Sequence, residues 1–402
     1  MFKQIETIDD FKIFVDDIIR EAIELNASDV HIEPQKEIFQ IRYRIDGEIF
    51  KFYSISIENK DNLIARIKIL AKLKIDESRR PQDGQIEYEY QNNNGNIEDI
   101  DMRISTFPTI NGEKIVMRIL KKDPKLLNIN SLGFMQYNLD SIKKTLQNKE
   151  GLILISGGTG SGKTTTLYSM LNSYDPEKFN ISTLEDPVEY KIAGINQSQV
   201  KNDIGYDFSQ GLKTLLRQDP DIILVGEIRD RETAKLAIEA SMTGHLVFGT
   251  IHSNKGVGVI ERLVNMGIEP YLIASSLKMV LSQRLVKKVC SKCAQNTEIS
   301  DEEKKILQTG LGSVWNSIES KIQLKKGEGC KKCLQTGYSG RIGIHEVTII
   351  DKDFSRAINK GINNEIWTEL CKKKGYLSLY QDALIKSAYG FISLANSAQY
   401  NN

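Results

Sequence analysis

The segment "ISGGTGSGKTTT", residues 155–166, places Gly157, Gly162, Lys163 and Thr164 at the GxxxxGK[ST] spacing, directly after the apolar run "LILI". Its glycines let consecutive backbone N–H groups close around a phosphate chain at the start of a helix, where those donors have no intrahelical partner. Gly157, Gly158, Thr159, Gly160, Ser161, Gly162, Lys163, Thr164 and Thr165 form the expected nucleotide-binding set. Lys163 neutralises the β- and γ-phosphates, and the Thr164 hydroxyl ligates the Mg²⁺ that accompanies ATP.

Such a loop needs a carboxylate on a neighbouring strand. "DPDIILVGEIRD" supplies Glu227 at the C-terminal end of an apolar run, where open α/β sheets bind ligands, to hold Mg²⁺ through water or to polarise the attacking water. "ISTLEDPVEY" clusters Glu185, Asp186 and Glu189, either a solvated acidic turn or a second carboxylate for water activation. His245 and His252 bracket the strand-like "LVFGTI" and are either structural or sensors of the γ-phosphate. Arg103 and Arg118 flank an Asn111-Gly112 turn. They belong to a solvated face or are arginines supplied from another domain or subunit to a phosphoryl transition state.

Cys290-x-x-Cys293 and Cys330-x-x-Cys333 give four soft ligands, the number a closed tetrahedral zinc site takes. The wide gap between the pairs requires an inserted helical lobe, "SDEEKKILQTG". Cys371 lies on an apolar helical stretch and reads as core.

The surrounding elements must hold these groups. The 402 residues are enough for two to four domains. With 54 Lys and Arg against 53 Asp and Glu, the formal net charge of +1 gives no support to general nucleic-acid binding. No apolar run approaches the roughly 20 residues that span a bilayer, and the first residues lack a signal-peptide core, so a cytoplasmic protein is expected. Apolar residues from Phe11 to Ile23 recur at helical spacing, and "IFQIRYRIDGEIFKF" alternates about Asp46-Gly47 as a β-hairpin does. A helical stretch from Ile64 to Leu73 and strand-like runs in "RRPQDGQIEYEY" and "IDMRISTFPTINGEKIVMRIL" complete a small α+β domain, residues 1–122. A polar, Pro-containing linker is read at 123–133. Strands and helices then alternate through "LILIS", "NISTLED" and "DIILVGE", which predicts an α/β fold with a parallel sheet over 134–286. A tetra-cysteine module is expected at 287–345 and a helical domain at 346–402.

The series "ASDVHIEP", "RYRIDG", "RRPQDGQI", "FPTINGEKIVMRIL", "GGTGSGKTTTLY", "EDPVEY", "LRQDPDIILVGEIRD", "TGHLVFGTIHSN", "SQRLVKKVC" and "GYSGRIGIHEV" resembles, in order, the secretion-type ATPases that power type II secretion and type IV pilus assembly. The resemblance implies a RecA-like P-loop core behind a PAS-like N-terminal domain. It also implies a homohexamer, peripheral on the inner face of the cytoplasmic membrane, that works on a polytopic platform protein to assemble pilins or pseudopilins. It places Lys163 and Thr164 in the Walker A loop, Glu185 in the Asp box, Glu227 in Walker B, and His245 and His252 in the His box. Arg103 and Arg118 fall where relatives bring arginines to ATP, and Arg217 joins the catalytic set; Lys213, four residues before it, stands where relatives commonly have an arginine, which weakens one trans contact to a point charge. The four cysteines match a zinc module of assembly motors that retraction motors generally lack. Longer relatives carry a further N-terminal docking domain; this sequence begins almost at "ASDVHIEP", so docking by that route is not expected.

The expected activity is ATP hydrolysis coupled to rotation between the two main domains. A retraction or DNA-uptake pilus motor shares the same core. A nucleotide-gated adaptor without productive turnover is the alternative of another class, disfavoured by the presence of both Glu185 and Glu227. A nucleic-acid translocase conflicts with the balanced charge.

Overall fold

The period-two runs of the sequence become strands of two separate sheets, each in its own unit. The computed structural model describes residues 2–6, 8–92, 95–121, 124–253 and 255–401. The units are Met1–Asp123 and Pro124–Asn402. Met1 and Lys122, the expected ends of the N-terminal domain, and Asp123, the expected first linker residue, lie outside the described residues.

The first unit contains β1 (Lys3–Ile5), α1 (Phe11–Glu24), β2 (Ala27–Pro34), β3 (Ile38–Ile45), β4 (Glu48–Ser56), α2 (Lys60–Leu70), β5 (Asp83–Gln91), β6 (Ile97–Thr109) and β7 (Gly112–Leu120). Its seven strands run in the order β1-β4-β3-β2-β7-β6-β5. The Asp10 carboxylate caps α1 by accepting from the N–H groups of Lys12 and Ile13. Val15, Ile18, Ile19, Ala22 and Ile23 then fall on its buried face. Asp46 and Gly47 both take positive φ, 50° and 91°, which gives the β3–β4 turn the twist of its strands. One sheet face is apolar through Val30, Ile32, Ile41, Met102, Ile104, Ile115 and Met117. The opposite face carries Arg103 and Arg118 as direct cross-strand partners. Arg118 Nε donates to Asp29 Oδ1 at 3.1 Å, and Arg44 Nε lies 3.5 Å from the other oxygen of that carboxylate.

In the second unit, α3 (Gln136–Thr145), β8 (Gly151–Ser156), α4 (Lys163–Leu171), β9 (Ile181–Glu185), β10 (Asn196–Gln199), α5 (Phe208–Leu215), β11 (Ile222–Val225), α6 (Arg231–Met242), β12 (Leu246–Ile251), α7 (Gly256–Asn265), α8 (Pro270–Ser276) and β13 (Leu277–Val289) alternate as in a wound α/β sheet. Then follow β14 (Ala294–Asn296), α9 (Asp301–Leu311), α10 (Trp315–Ile318), β15 (Lys325–Gly327), β16 (Tyr338–Ile349), α11 (Lys352–Asn359), α12 (Asn364–Lys374), α13 (Leu379–Ala388) and α14 (Leu394–Ala398). The main sheet has the order β10-β9-β11-β12-β8-β13-β16, parallel except for the β13–β16 pair. β8, β9, β11 and β12 are buried along their whole length. Alternate residues serve two cores: Leu152, Leu154, Ile223 and Val247 pack on one side, Ile153, Ile155, Leu224 and Phe248 on the other.

Two boundaries read from the sequence fall inside strands. The 286/287 division cuts β13 and the 345/346 division cuts β16, yet these strands pair over most of their length in the main sheet. The change to Cys-, Lys- and Gly-rich composition marks where the hairpin leaves the core, not where the sheet ends. The lobe between the cysteine pairs holds α9, which opens with a Ser300–Glu303 capping box, and α10, between the paired short strands β14 and β15.

Candidate active site and metal centre

β8 ends at Ser156 and the chain turns through a glycine loop into α4. Gly160 and Gly162 adopt φ of 74° and 85°, which lets the loop turn back on itself before the helix begins. No side chain caps α4, so its first N–H groups remain available to an anion. Lys163 Nζ donates to the Gly157 and Gly158 carbonyls at 2.9 and 3.1 Å, within its own loop. Burial lowers the Lys163 pKa, Glu227 opposes the shift, and Arg284 adds to it. A phosphate chain would restore the charge that burial disfavours.

Glu227 follows β11 and is fixed by backbone bonds on either side of it. Gly226 N donates to Leu184 O at 2.8 Å, and Ile228 N donates to Thr250 O at 2.9 Å. The Glu227 carboxylate accepts from Arg229 Nε at 2.6 Å and lies 2.9 Å from His252 Nε2. Its side chain is 17 % exposed and that of His252 42 %, so the pair is open on one side. Lys163, Glu227 and His252 therefore gather at the C-terminal ends of β8, β11 and β12.

Other residues read from the sequence lie elsewhere. His245 precedes β12 while His252 follows it, a separation of about 20 Å at the rise of a strand. His245 Nδ1 sits 2.9 Å from the Ala240 carbonyl, and its own carbonyl accepts from Gly151 N. The two histidines therefore do not meet one γ-phosphate within a chain; the strand between them points them to opposite ends of the sheet. Arg217 is also at that far end. It donates to Lys213 O at 3.0 Å, and the turn after it is held by Asn180, the residue before β9. Lys213 pairs with Glu232.

Glu185 is near the correct end but closed. It is 2 % exposed and accepts from Tyr168 Oη, from Thr183 Oγ1 at 2.5 Å and from Gln197 Nε2 at 3.3 Å. Burial, with Glu185 beside it, raises the Tyr168 pKa, so the phenol stays a donor. Of the two carboxylates Glu185 and Glu227, Glu227 is the more open; Asp186, the next residue after β9, is exposed at the same end of the sheet. Sequence reasoning missed Arg284: its Nη1 lies 3.1 Å from the position a β-carbon on Gly157 would take, against the phosphate loop. The motif "SQRLVKKVC" was the available signal.

A cavity of about 1110 Å³ opens at the far end, lined in part by Lys143, Tyr174, Phe179, Asp221 and Leu246. It is distinct from the phosphate loop.

The four cysteine sulfurs lie within 4.8 Å of one another. Cys290 to Cys330 and Cys293 to Cys333 are 3.8 Å apart and Cys330 to Cys333 is 3.6 Å. A tetrahedron with Zn–S bonds of about 2.3 Å has edges of about 3.8 Å, so the cluster fits a closed zinc site. Burial works against the Cys333 thiolate, but the N–H groups of Cys330 and Gly337, 3.1 and 3.3 Å from its sulfur, bring its pKa below the ordinary value.

Contrary to the expectation from sequence, Glu227 does not lie on a strand next to the loop's strand: β12 is inserted between β8 and β11. A P-loop between strand and helix, with that carboxylate one strand further along the same parallel sheet, defines the nucleotide-binding core of a P-loop ATPase. Residues 6–399 match the family described as type II/IV secretion system protein, and the chain belongs to that family of secretion and pilus ATPases. It is 43 % identical over 384 residues to the type IV pilus assembly ATPase PilB of Thermus thermophilus, which covers 95 % of this chain and 42 % of that one. It is 40 % identical over 395 residues to the type II secretion system ATPase E of Vibrio cholerae, covering 97 % and 75 %. The chain thus spans less than half of the first relative and three quarters of the second. Among solved structures it resembles the Legionella pneumophila ATPase DotB (TM-score 0.70, 21 % identity, 99 % and 98 % covered) and the pilus retraction motor PilT with bound ADP (TM-score 0.61, 26 % identity, 96 % of each covered). Among the described residues no helix is long and apolar enough to cross a membrane.

Proposed function

We propose that this chain hydrolyses ATP as a hexameric motor that powers pilin or pseudopilin assembly from the inner face of the cytoplasmic membrane. The observation that carries the reading is the convergence of Lys163, Glu227 and His252 at one end of the sheet. Lys163 leaves the carbonyls of its own loop for the phosphates of ATP, whose charge is the better partner for a half-buried ammonium. Glu227 accepts the proton of the attacking water, and His252 orients that carboxylate by holding one of its oxygens. The Thr164 hydroxyl and, through water, Glu227 would hold Mg²⁺, which when bound neutralises charge on the phosphates. Glu185 fixes the base of the site through Tyr168. Arg103 and Arg118, and Arg217 from another copy, complete the charge around the nucleotide, and hydrolysis drives rotation between the two main domains. The cysteine cluster would hold zinc as a structural cross-link.

The names of the PilB and secretion ATPase E relatives support assembly, as does the four-cysteine cluster. The likeness to PilT favours retraction as the second reading.

Steady-state phosphate release, measured against protein concentration with hexamer content followed by light scattering, tests the proposal. Specific activity should rise as rings form and be lost in Lys163→Ala. A wild-type ring with Mg²⁺ and ATP that binds nucleotide but releases no phosphate supports the adaptor reading instead.

A further inference from the structure

Gln283, on β13, is 3 % exposed and 117 residues from its nearest phosphate-loop helix partner. Burying a primary amide is unfavourable unless both of its ends are bonded, and here both are. Nε2 donates to the Ser161 carbonyl at 2.8 Å, and Oε1 accepts from the Thr166 hydroxyl at 2.7 Å. The two contacts fix the amide's orientation, because the reverse assignment would set two carbonyl oxygens against each other. Gln283 also shapes the loop by contact. A β-carbon on Gly162 would stand 2.8 Å from Nε2, and one on Gly157 would stand 2.7 Å from the Gln283 backbone carbonyl. The strand itself is anchored beside β8: Ser282 is the register partner of Ser156, with their hydroxyls 2.9 Å apart.

The consequence for a bound phosphate follows from peptide planarity. The Ser161 C=O and the Gly162 N–H belong to one trans unit and point in opposite directions. Holding that carbonyl toward β13 therefore turns the Gly162 N–H away from β13, and Thr166 ties the Gln283 side-chain amide to α4. We infer that Gln283 is a positioning residue for the phosphate loop, setting the direction of the Gly162 amide, and through it nucleotide affinity, from a strand outside the nucleotide-binding motifs. It touches no substrate atom and acts through the loop. The inference rests on the proposal that this loop binds ATP.

The test is titration of the full chain with a fluorescent ADP analogue and Mg²⁺, alongside thermal melting and the ATP dependence of phosphate release. Gln283→Met keeps the length and removes both bonds; it should weaken ADP binding and raise KM for ATP by about tenfold or more, with a smaller fall in kcat. Thr166→Val, which unlocks the amide without touching β13, should weaken binding several-fold, whereas Thr166→Ser, which keeps the hydroxyl, should stay near the parent. The Gln283→Met/Thr166→Val double variant should be no worse than Gln283→Met alone. A folded Gln283→Met chain that binds ADP within twofold of the parent overturns the inference. Should Gln283→Met fail to fold, Thr166→Val decides: binding within twofold of the parent overturns the inference, and several-fold weakening restored in Thr166→Ser upholds it. A parent chain that binds no nucleotide fails the proposed function instead, which is a separate outcome.

Discussion

The phosphate loop and the cysteine cluster are both built against β13, yet they hold their charged groups in opposite ways. At the loop, Lys163 and Glu227 are engaged with other parts of the protein: Lys163 with loop carbonyls, Glu227 with Arg229 and His252. At the cluster, which starts at Cys290 immediately after β13, the sulfurs already face one another at 3.6–3.8 Å, with two N–H groups aimed at Cys333. A site that must bind, react and release uses partners it can exchange. A cross-link gains from geometry set in advance.

The largest expected effect sharpens the contrast at the loop. Lys163→Ala should lower kcat/KM for ATP at least about 100-fold while leaving the cysteine cluster's metal content unchanged, as read by atomic absorption. Activity near that of the parent would remove the loop from the reaction. Glu227→Gln keeps the size and loses the base; turnover should fall by about 10²–10³-fold with nucleotide affinity nearly preserved. The matched pair His252→Ala and His245→Ala tests the two ends of β12. The first should slow turnover about tenfold or more and the second should leave the isolated chain within about twofold, so equal losses would contradict the assignment by position.

Smaller effects are expected where stability is read. Removing metal with a strong chelator, or Cys330→Ser, should lower the unfolding midpoint by about 5–10 °C. A chain purified without metal and indifferent to added Zn²⁺ would refute the zinc assignment. The smallest effect concerns His345, which is fully buried, stacked on Phe134 at 3.8 Å and faced by Asp382 and Lys386. Burial first, and Lys386 second, hold its pKa well below the ordinary value of about 6.5. The unfolded chain therefore takes up a proton that the folded chain refuses, and stability falls as the pH drops below about 6.5. The contribution approaches 1.4 kcal/mol per pH unit until the folded-state pKa is reached. Urea titrations at pH 7.5 and 5.5 should show a smaller difference in His345→Phe than in the parent; an equal difference would assign the pH dependence to other groups.

Much of this was legible as pattern. The spacing of Phe11 to Ile23 became α1, Asp46-Gly47 became a turn of two positive-φ residues, and the P-loop lies between β8 and α4 as its motif requires. Glu227 was legible because an apolar run ended on it. What escaped was the outcome of pairing between distant strands. "VLSQRLVKKV" and "GRIGIHEV" look like the borders of a module, but they join the main sheet as β13 and β16, and Gln283 and His345 stand opposite each other in that register. Likewise, the sequence shows His245 and His252 bracketing a strand, but only the parallel pairing of β12 with β8 puts His252 at the phosphate-loop end.

The sequence by itself determined the chemistry available: a glycine loop with a lysine, a carboxylate after an apolar strand and four cysteines in two pairs. These are local facts, fixed by residue type and by separations of a few positions along one chain segment. Only the tertiary structure decided which of the acidic, basic and histidine candidates share a site. That depends on strand order, on which end of a strand each residue occupies, and on which carboxylates the packed interior has already satisfied with hydrogen bonds, as it has for Glu185.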